Sequence, residues 1–303
     1  MTRARGRAER LGAEDVRRLA SLYRGAAADL AMARRSFRSD PVVARLEQLV
    51  GRARSLVYAS EATRESLWSF VSVRYWRRIR ERPVPLLVAA LLLFGPMVLS
   101  AVWAHGDTAA AGALVPAGFQ GEGGEAPAAG GTDLGLSRVE RTAFSIEIFV
   151  NNIRVTFLAF AGGITAGLVT VAALLYNGML IGVIGGLAVA AGNADPFLQL
   201  VVPHGVLELS CIVVAGAAGL RMGWAVVDPG RRRRGAALVA EARPAVELAM
   251  GTALWLVVAG LVEGYLTPAG LGPGWNYGVG IALGVVFWGL VWWRGGVVAP
   301  RDL

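Results

Sequence analysis

Residues 83–104 read PVPLLVAALLLFGPMVLSAVWA and contain no charged side chain. A helix of this length extends roughly 33 Å, enough to cross the hydrocarbon core of a bilayer. The residues just before it, 75–82, read YWRRIRER and combine aromatic side chains with arginines. That composition is typical of a cytoplasmic interface anchor, in which Trp76 would lie among the lipid headgroups. The stretch therefore predicts a first span that runs from the inside of the membrane to the outside.

Apolar runs continue through the rest of the chain. Of its 303 residues 55% are hydrophobic, and the mean hydropathy of +0.52 is above that of ordinary soluble domains. Including the first, the predicted spans cover about residues 83–104, 154–176, 179–191, 199–227, 245–266 and 277–293. An outer loop is predicted at 105–137, an interfacial helix at 138–152, and a tight turn at Asn177-Gly178. The fold class is thus all-α, a polytopic transmembrane helix bundle of about six spans in the region 83–303.

Arginine clusters fix the predicted orientation. All positive charge comes from arginine, since the sequence has no lysine, and the net charge is +8. The densest cluster is Arg231, Arg232, Arg233 and Arg234. With six spans and a cytoplasmic N-terminus, this cluster and the C-terminus both fall in the cytoplasm, as the positive-inside rule requires. The cluster is expected to enforce topology, with binding to lipid headgroups or a partner as the alternative. The bilayer accounts for the basic balance, so no nucleic-acid partner is predicted.

Residues 1–82 are charged and predict a cytoplasmic region of short amphipathic helices. One lies between Gly12 and about Arg35. A second begins at Asp40-Pro41, which supplies an N-cap and a proline at the first helical position. A third begins near Ser60.

Small residues recur at four-residue spacing within several spans. Residues four apart share a helix face, and small side chains let helix backbones approach closely in lipid. The residues predicted to pack most tightly are Gly163, Gly167, Gly178, Gly182 and Gly219. More such stripes exist than a single bundle needs, which leaves room for a homodimer.

His204 and Glu208 are the main candidates for a functional site. They stand four apart on one helical face inside an apolar run, and a buried carboxylate requires a partner or a polar cavity. Candidate neighbours are Asn177, Asn151, Asn152, Arg154, Asp195 and Glu263. The pair either fixes the packing of the bundle or forms a proton, ion or lipid-headgroup site, with catalysis as a further alternative. Two ligands do not make a metal site, so neither a metal nor another cofactor is predicted.

Several motifs resemble the stage II sporulation protein M (SpoIIM) family. They are Asn151-Asn152, the segment 161–167 (AGGITAG), Asn177-Gly178, Pro203-His204-Gly205 with Glu208-Leu209, the segment 215–220 (AGAAGL) and Asp228-Pro229. The segment 46–53 (LEQLVGRA) is also similar to the N-terminal helices of that family.

The resemblance implies a multi-pass protein of the bacterial inner membrane without an established enzymatic activity. In endospore formers such a protein belongs to a membrane complex with two cell-wall hydrolases, and elsewhere members occur beside genes for a MoxR-type ATPase. The first hypothesis is therefore a non-enzymatic scaffold in cell-envelope remodelling. The alternative is a transporter or channel for a small solute, ion or lipid that uses His204 and Glu208.

Overall fold

The computed structural model describes residues 13–37, 40–58, 70–115, 138–265 and 272–296. These residues form helices and connecting turns without any strand, which confirms the all-α prediction. The chain divides into two compact units, Met1–Ser69 and Phe70–Leu303.

The first unit contains two helices, α1 (Ala13–Ser36) and α2 (Pro41–Tyr58). An Arg34–Glu47 ion pair of 2.6 Å links them. The predicted start of α2 is confirmed, since the Val42 N–H donates to Asp40 Oδ1 at 2.8 Å and the helix begins at Pro41. The third predicted helix, near Ser60, starts outside the described residues.

The second unit is a bundle of long helices. It opens with a π-helical turn at Phe70–Arg74. Its helices are α3 (Tyr75–Arg80), α4 (Pro83–Gly106), α5 (Thr108–Ala113), α6 (Arg138–Ala161), α7 (Leu168–Ala190), α8 (Ala194–Val227), α9 (Arg234–Tyr265) and α10 (Pro273–Arg294). Within the described residues, five helices are long and apolar enough to cross a membrane: α4, α7, α8, α9 up to Val262, and α10. The prediction of a polytopic helix bundle is thereby confirmed.

The boundaries predicted for the second and third spans are wrong. Helix α6 runs without a break through the predicted junction between the interfacial helix 138–152 and the span 154–176. The chain reverses instead at Gly162–Thr165, a 3-10 turn followed by two left-handed residues, Ala166 (φ 55°) and Gly167 (φ 84°). Asn177-Gly178 lies in the middle of α7 and is not a turn. Its glycine serves helix packing, because an added Cβ at Gly178 would collide with the Leu93 carbonyl of α4.

Contacts between the helices show how the chain alternates through the bundle. Gly178, Gly182 and Gly186 of α7 face the carbonyls of Leu93, Met97 and Ala101, in that order, so α4 and α7 run parallel. By the same logic α10 runs parallel to α8, since Gly280 and Gly284 face Val202 and Val206. Helix α6 runs antiparallel to α7, because Ala159 and Asn151 of α6 contact Thr170 and Asn177 of α7, in that order. The start of α4 and the end of α10 lie at the same end of the bundle, where Arg80 donates to the Trp292 carbonyl at 2.6 Å.

The aromatic segment before the first span is buried, contrary to the predicted headgroup anchor. Trp76 is only 2% exposed, and its ring packs edge-on against Trp255 and Phe287. The neighbouring Tyr75 ring fills the space left by Gly251, and its hydroxyl is 3.1 Å from Thr252 Oγ1. The boundary between the two units consequently falls after residue 69, not after residue 82.

Charged side chains tie the same segment to α9. Glu247 lies 3.0 Å from Arg78 and 3.7 Å from Arg74. Burial lowers the pKa of the Arg78 guanidinium, but hydrogen bonds to Glu247 and Glu81 outweigh it and leave that pKa raised. These ion pairs fix α3 against α9.

Replacing Gly167 by alanine is expected to destabilise the bundle by about 1–2 kcal/mol, because a non-glycine residue at φ 84° is strained. The measurement is the apparent Tm of the detergent-solubilised protein, followed by size-exclusion chromatography after heating. Gly235→Ala is the matched control, since nothing lies within 4 Å of its added Cβ. Equal Tm values for the two variants would contradict the role of this turn.

Candidate functional site

The candidate site lies on one face of α8. His204 and Glu208 follow each other by one helical turn, and both side chains are fully buried. The helix continues through Pro203 without a break. Further along it, the Ser210 hydroxyl donates to the backbone carbonyl of Val206 at 2.7 Å. The i, i+4 spacing thus aims an imidazole and a carboxylate into the same part of the bundle.

Helix α6 provides a polar partner for the carboxylate. The Asn152 Nδ2 group donates a hydrogen bond to Glu208 Oε2, and both side chains are buried. The Thr156 hydroxyl in turn donates to the backbone carbonyl of Asn152 at 2.6 Å. This buried hydrogen bond joins α6 to α8.

A second amide pair joins α6 to α7. Asn151 Nδ2 donates to Asn177 Oδ1 at 3.4 Å, and Asn177 is 1% exposed. Three helices thus contribute amide or ionisable groups to one region. All five residues predicted for the site lie in it: His204, Glu208, Asn177, Asn151 and Asn152.

A cavity of about 60 Å³ lies between these helices. Its polar lining comes from Asn151, Asn152, His204 and Glu208. The apolar lining comes from α7 and α8 and includes Ile184, Phe197 and Val201. One water needs roughly 10–15 Å³ of such space, so the cavity has room for a few waters or a small ion, but not for a lipid headgroup.

The groups around the cavity suit a proton or a small cation. Glu208 supplies carboxylate oxygens, the asparagines supply amide oxygens, and His204 can accept or donate a proton. Within the described part of the chain, no three His, Cys, Asp or Glu side chains are grouped as a metal site would require. A divalent ion held by several carboxylates, as magnesium and calcium prefer, does not fit this set of groups.

Comparison with known proteins places the chain in a family. The family model described as Stage II sporulation protein M matches residues 88–268, more than half of the 303 residues. The chain belongs to this family. The matched region of this SpoIIM family member contains the whole candidate site, and the resemblance found in its motifs is confirmed. It is a multi-pass membrane protein.

Other comparisons concern parts of the chain. A model described as a domain of unknown function (DUF8413) matches residues 2–59, which lie within the first unit. The SpoIIM family member is also similar to an uncharacterized protein of Methanocaldococcus jannaschii, MJ0793. The two are 31% identical over 124 residues, which cover 40% of this chain and 70% of that protein. No solved structure matches.

Two glycines predicted to pack tightly, Gly163 and Gly219, lie between the cavity and the end of the bundle where α6 turns into α7 in this SpoIIM family member. Gly219 of α8 faces the Ala159 carbonyl of α6, and Gly163 faces Gly219 and Met222. Thr170 of α7 donates to the same Ala159 carbonyl at 2.8 Å. These contacts draw α6, α7 and α8 together at the end of the bundle where the chain turns into α7.

One buried charge was not predicted from the sequence. Arg221 of α8 is 5% exposed and lies 3.4 Å from Glu241 of α9. Glu241 also pairs with Arg82 at 2.9 Å. A single arginine within the apolar run 211–227 was the signal that could have revealed this pair, because an isolated charge there needs an acidic partner.

The remaining charged candidates lie away from the cavity. Asp195 is exposed at the start of α8 and accepts a hydrogen bond from Tyr277 at 2.6 Å. The four clustered arginines, Arg231 to Arg234, are all exposed, and they lie in the connection after α8 and at the first residue of α9. Arg154 of α6 is also exposed, on the face that points away from the bundle.

Proposed function

We propose that this SpoIIM family protein is a proton-coupled transporter or channel for a small solute or ion, and that Glu208 and His204 form its proton-binding site. The observation that carries the proposal is a fully buried carboxylate and imidazole that border one cavity near the middle of a membrane-spanning helix. Ionisable residues at such depth usually mark ion pathways or proton relays.

The cavity beside His204 and Glu208 favours this function over a purely structural role for the pair. A residue that only fixes packing is best sealed against its neighbours, whereas Glu208 and His204 both border open space. A charged group in the bilayer centre lowers stability, and an apolar residue of similar size would pack α8 without that cost. Function is therefore the better reason for a carboxylate at this position.

We place the protein in the bacterial inner membrane with both termini in the cytoplasm. Arginines support this orientation. Arg80 marks the end of the bundle where α4 starts and α10 ends. The Arg82–Glu241 pair joins the start of α4 to the first part of α9, so the loop with Arg231 to Arg234, which leads into α9, lies towards the same end. Positively charged loops of this kind are retained in the cytoplasm.

Proton flux in reconstituted vesicles tests the transport proposal. With the purified protein in liposomes, a trapped pH-sensitive dye and an imposed potassium potential, the wild-type protein is expected to acidify the lumen well above empty vesicles. Glu208→Gln is expected to reduce the flux to the level of empty vesicles, because the amide cannot exchange a proton. The matched control is Glu81→Gln, the same change at a half-exposed residue outside the cavity, which should keep the wild-type flux. Equal flux from wild type and Glu208→Gln would refute the proposal.

A second candidate function is a non-enzymatic scaffold in a complex that remodels the cell envelope. The separate N-terminal unit supports it, because this unit exposes the apolar side chains of Leu22, Met32 and Phe37, which a partner would cover. Partners of the kind implied by the family are cell-wall hydrolases or a MoxR-type ATPase system. The same Glu208→Gln variant separates the two functions, since a scaffold should still assemble with its partners while a transporter loses flux.

A further inference from the structure

Arg154 occupies an unusual position in the bundle. It lies two residues beyond Asn152 on α6, and the Asn152 amide is bonded to Glu208. At about 1.5 Å of rise per residue, Arg154 is therefore within about 3 Å of the depth of the cavity residues. The flanking helices α7 and α8 are both long and apolar enough to span a membrane. This arginine consequently lies in the central part of the bundle.

The side chain of Arg154 points away from the other helices. It is exposed, and within the described residues it makes no hydrogen bond or ion pair. Around it on the same face of α6 are further exposed side chains: Val150, Ile153, Phe157 and Leu158. Their spacing of three and four residues forms one continuous stripe, which we call the α6 outer face. Among the described side chains of the α6 outer face, Arg154 is the charged group and its neighbours are apolar.

Neither lipid nor water suits this charge. Charged residues in membrane spans face the interior of a bundle or a water-filled cavity, and they are paired. The nearer end of α6 is where the chain reverses at Gly162, eight residues or about 12 Å from Arg154. Snorkelling of the guanidinium group over that distance is unfavourable. Helical side chains also lean towards the N-terminus of their helix, which directs Arg154 away from that end.

We propose that the α6 outer face is a docking site for a transmembrane helix of another protein that carries an aspartate or glutamate near its centre. The apolar stripe supplies the packing surface, and the carboxylate neutralises Arg154. A second copy of this chain fits less well. A two-fold axis along the membrane normal would bring the two Arg154 side chains to the same depth, where like charges repel. The proposal is independent of the transport function and does not involve the cavity.

Synthetic transmembrane peptides provide the probe. Leucine-alanine peptides of about 20 residues, with glutamate, glutamine or leucine at the centre and an acceptor dye, are added to the donor-labelled full-length protein in phosphatidylcholine vesicles. Energy transfer measures binding. The glutamate peptide is expected to bind roughly tenfold more tightly than the leucine peptide, and Arg154→Leu should abolish the preference. Arg154→Lys should retain most of it, and Arg154→Glu should transfer it to a peptide with a central arginine.

Each alternative gives a different result. An equal response to the three peptides, or a preference that survives in Arg154→Leu, would overturn the proposal. Lipid phosphate would be the occupant if Arg154→Leu instead abolished a preference for vesicles containing phosphatidylglycerol. Self-association would be indicated if energy transfer between two labelled copies depended on Arg154, and this too would overturn it. Arg154→Leu is expected to fold, since it replaces an exposed charge by an apolar side chain, and an unchanged apparent Tm checks that.

Discussion

Replacing Gly178 by leucine is expected to prevent stable assembly of the bundle, with a loss of about 4 kcal/mol or more. For a chain of this size the loss corresponds to a fall of roughly 8–16 °C in apparent Tm. The helices α4 and α7 meet at this glycine, and even the first carbon of a side chain there collides with the Leu93 carbonyl. Both groups at the contact belong to helix backbones, so no rotamer change can relieve the clash.

The same collision recurs one and two turns further along α7. Gly182 faces the Met97 carbonyl, and Gly186 faces the Ala101 carbonyl. A shift of α7 that relieved the clash at Gly178 would therefore break two further contacts. In lipid, where apolar burial gives little drive for association, such backbone contacts are the main source of helix–helix stability.

Heating the detergent-solubilised variants and measuring the remaining monodisperse fraction tests this prediction. Gly95→Leu in α4 is the matched control, since nothing lies within 4 Å of an added Cβ there. That variant is expected to match the wild type within about 0.5 kcal/mol. A Gly178→Leu protein that melts with the Gly95→Leu control would show that α4 and α7 do not pack as described.

Gly178 also shows what the sequence could and could not reveal. Its four-residue spacing from Gly182 predicted a packing face, and the structure places α4 against that face. The preceding Asn177 suggested a turn, because Asn-Gly is a strong turn signal in water. Inside a membrane bundle the asparagine is instead buried and bonded to Asn151. The contacts of Asn177 with α6 and of Gly178 with α4 decide the local structure here, and a pattern within one sequence does not show such contacts.

The site was more predictable than its surroundings. Glu208 stands alone in an apolar run, four residues after His204, and this is visible in the sequence. An ionisable side chain there is costly to bury, so it indicates a partner or a function. The cavity was not visible, since its shape depends on where α6 and α7 lie against α8. The aromatic and arginine content of residues 75–82 predicted that Trp76 lies among the lipid headgroups. Its burial depends on Trp255 and Phe287, which are far away in the sequence.

The second large effect is expected from Asn152→Leu, which removes the amide that donates to Glu208 Oε2. Loss of one partner from this buried hydrogen bond leaves the Glu208 carboxyl group without its amide donor, and we expect a loss of about 3 kcal/mol. The matched control is Asn151→Leu. This is the same change at the adjacent position, where the bond to Asn177 is neutral and 3.4 Å long, and it should cost about 1 kcal/mol or less.

The double variant Asn152→Leu with Glu208→Met shows whether the cost arises from the stranded carboxylate. If it does, the double variant is expected to recover most of the stability lost in Asn152→Leu, since a buried pair can be replaced by apolar residues at little cost. The coupling energy from the double-mutant cycle should then be about 2 kcal/mol, well above the few tenths found for independent sites. Strict additivity of the two losses would mean that Asn152 stabilises α6 through packing alone. Glu208 would then need another source of stabilisation in the bundle.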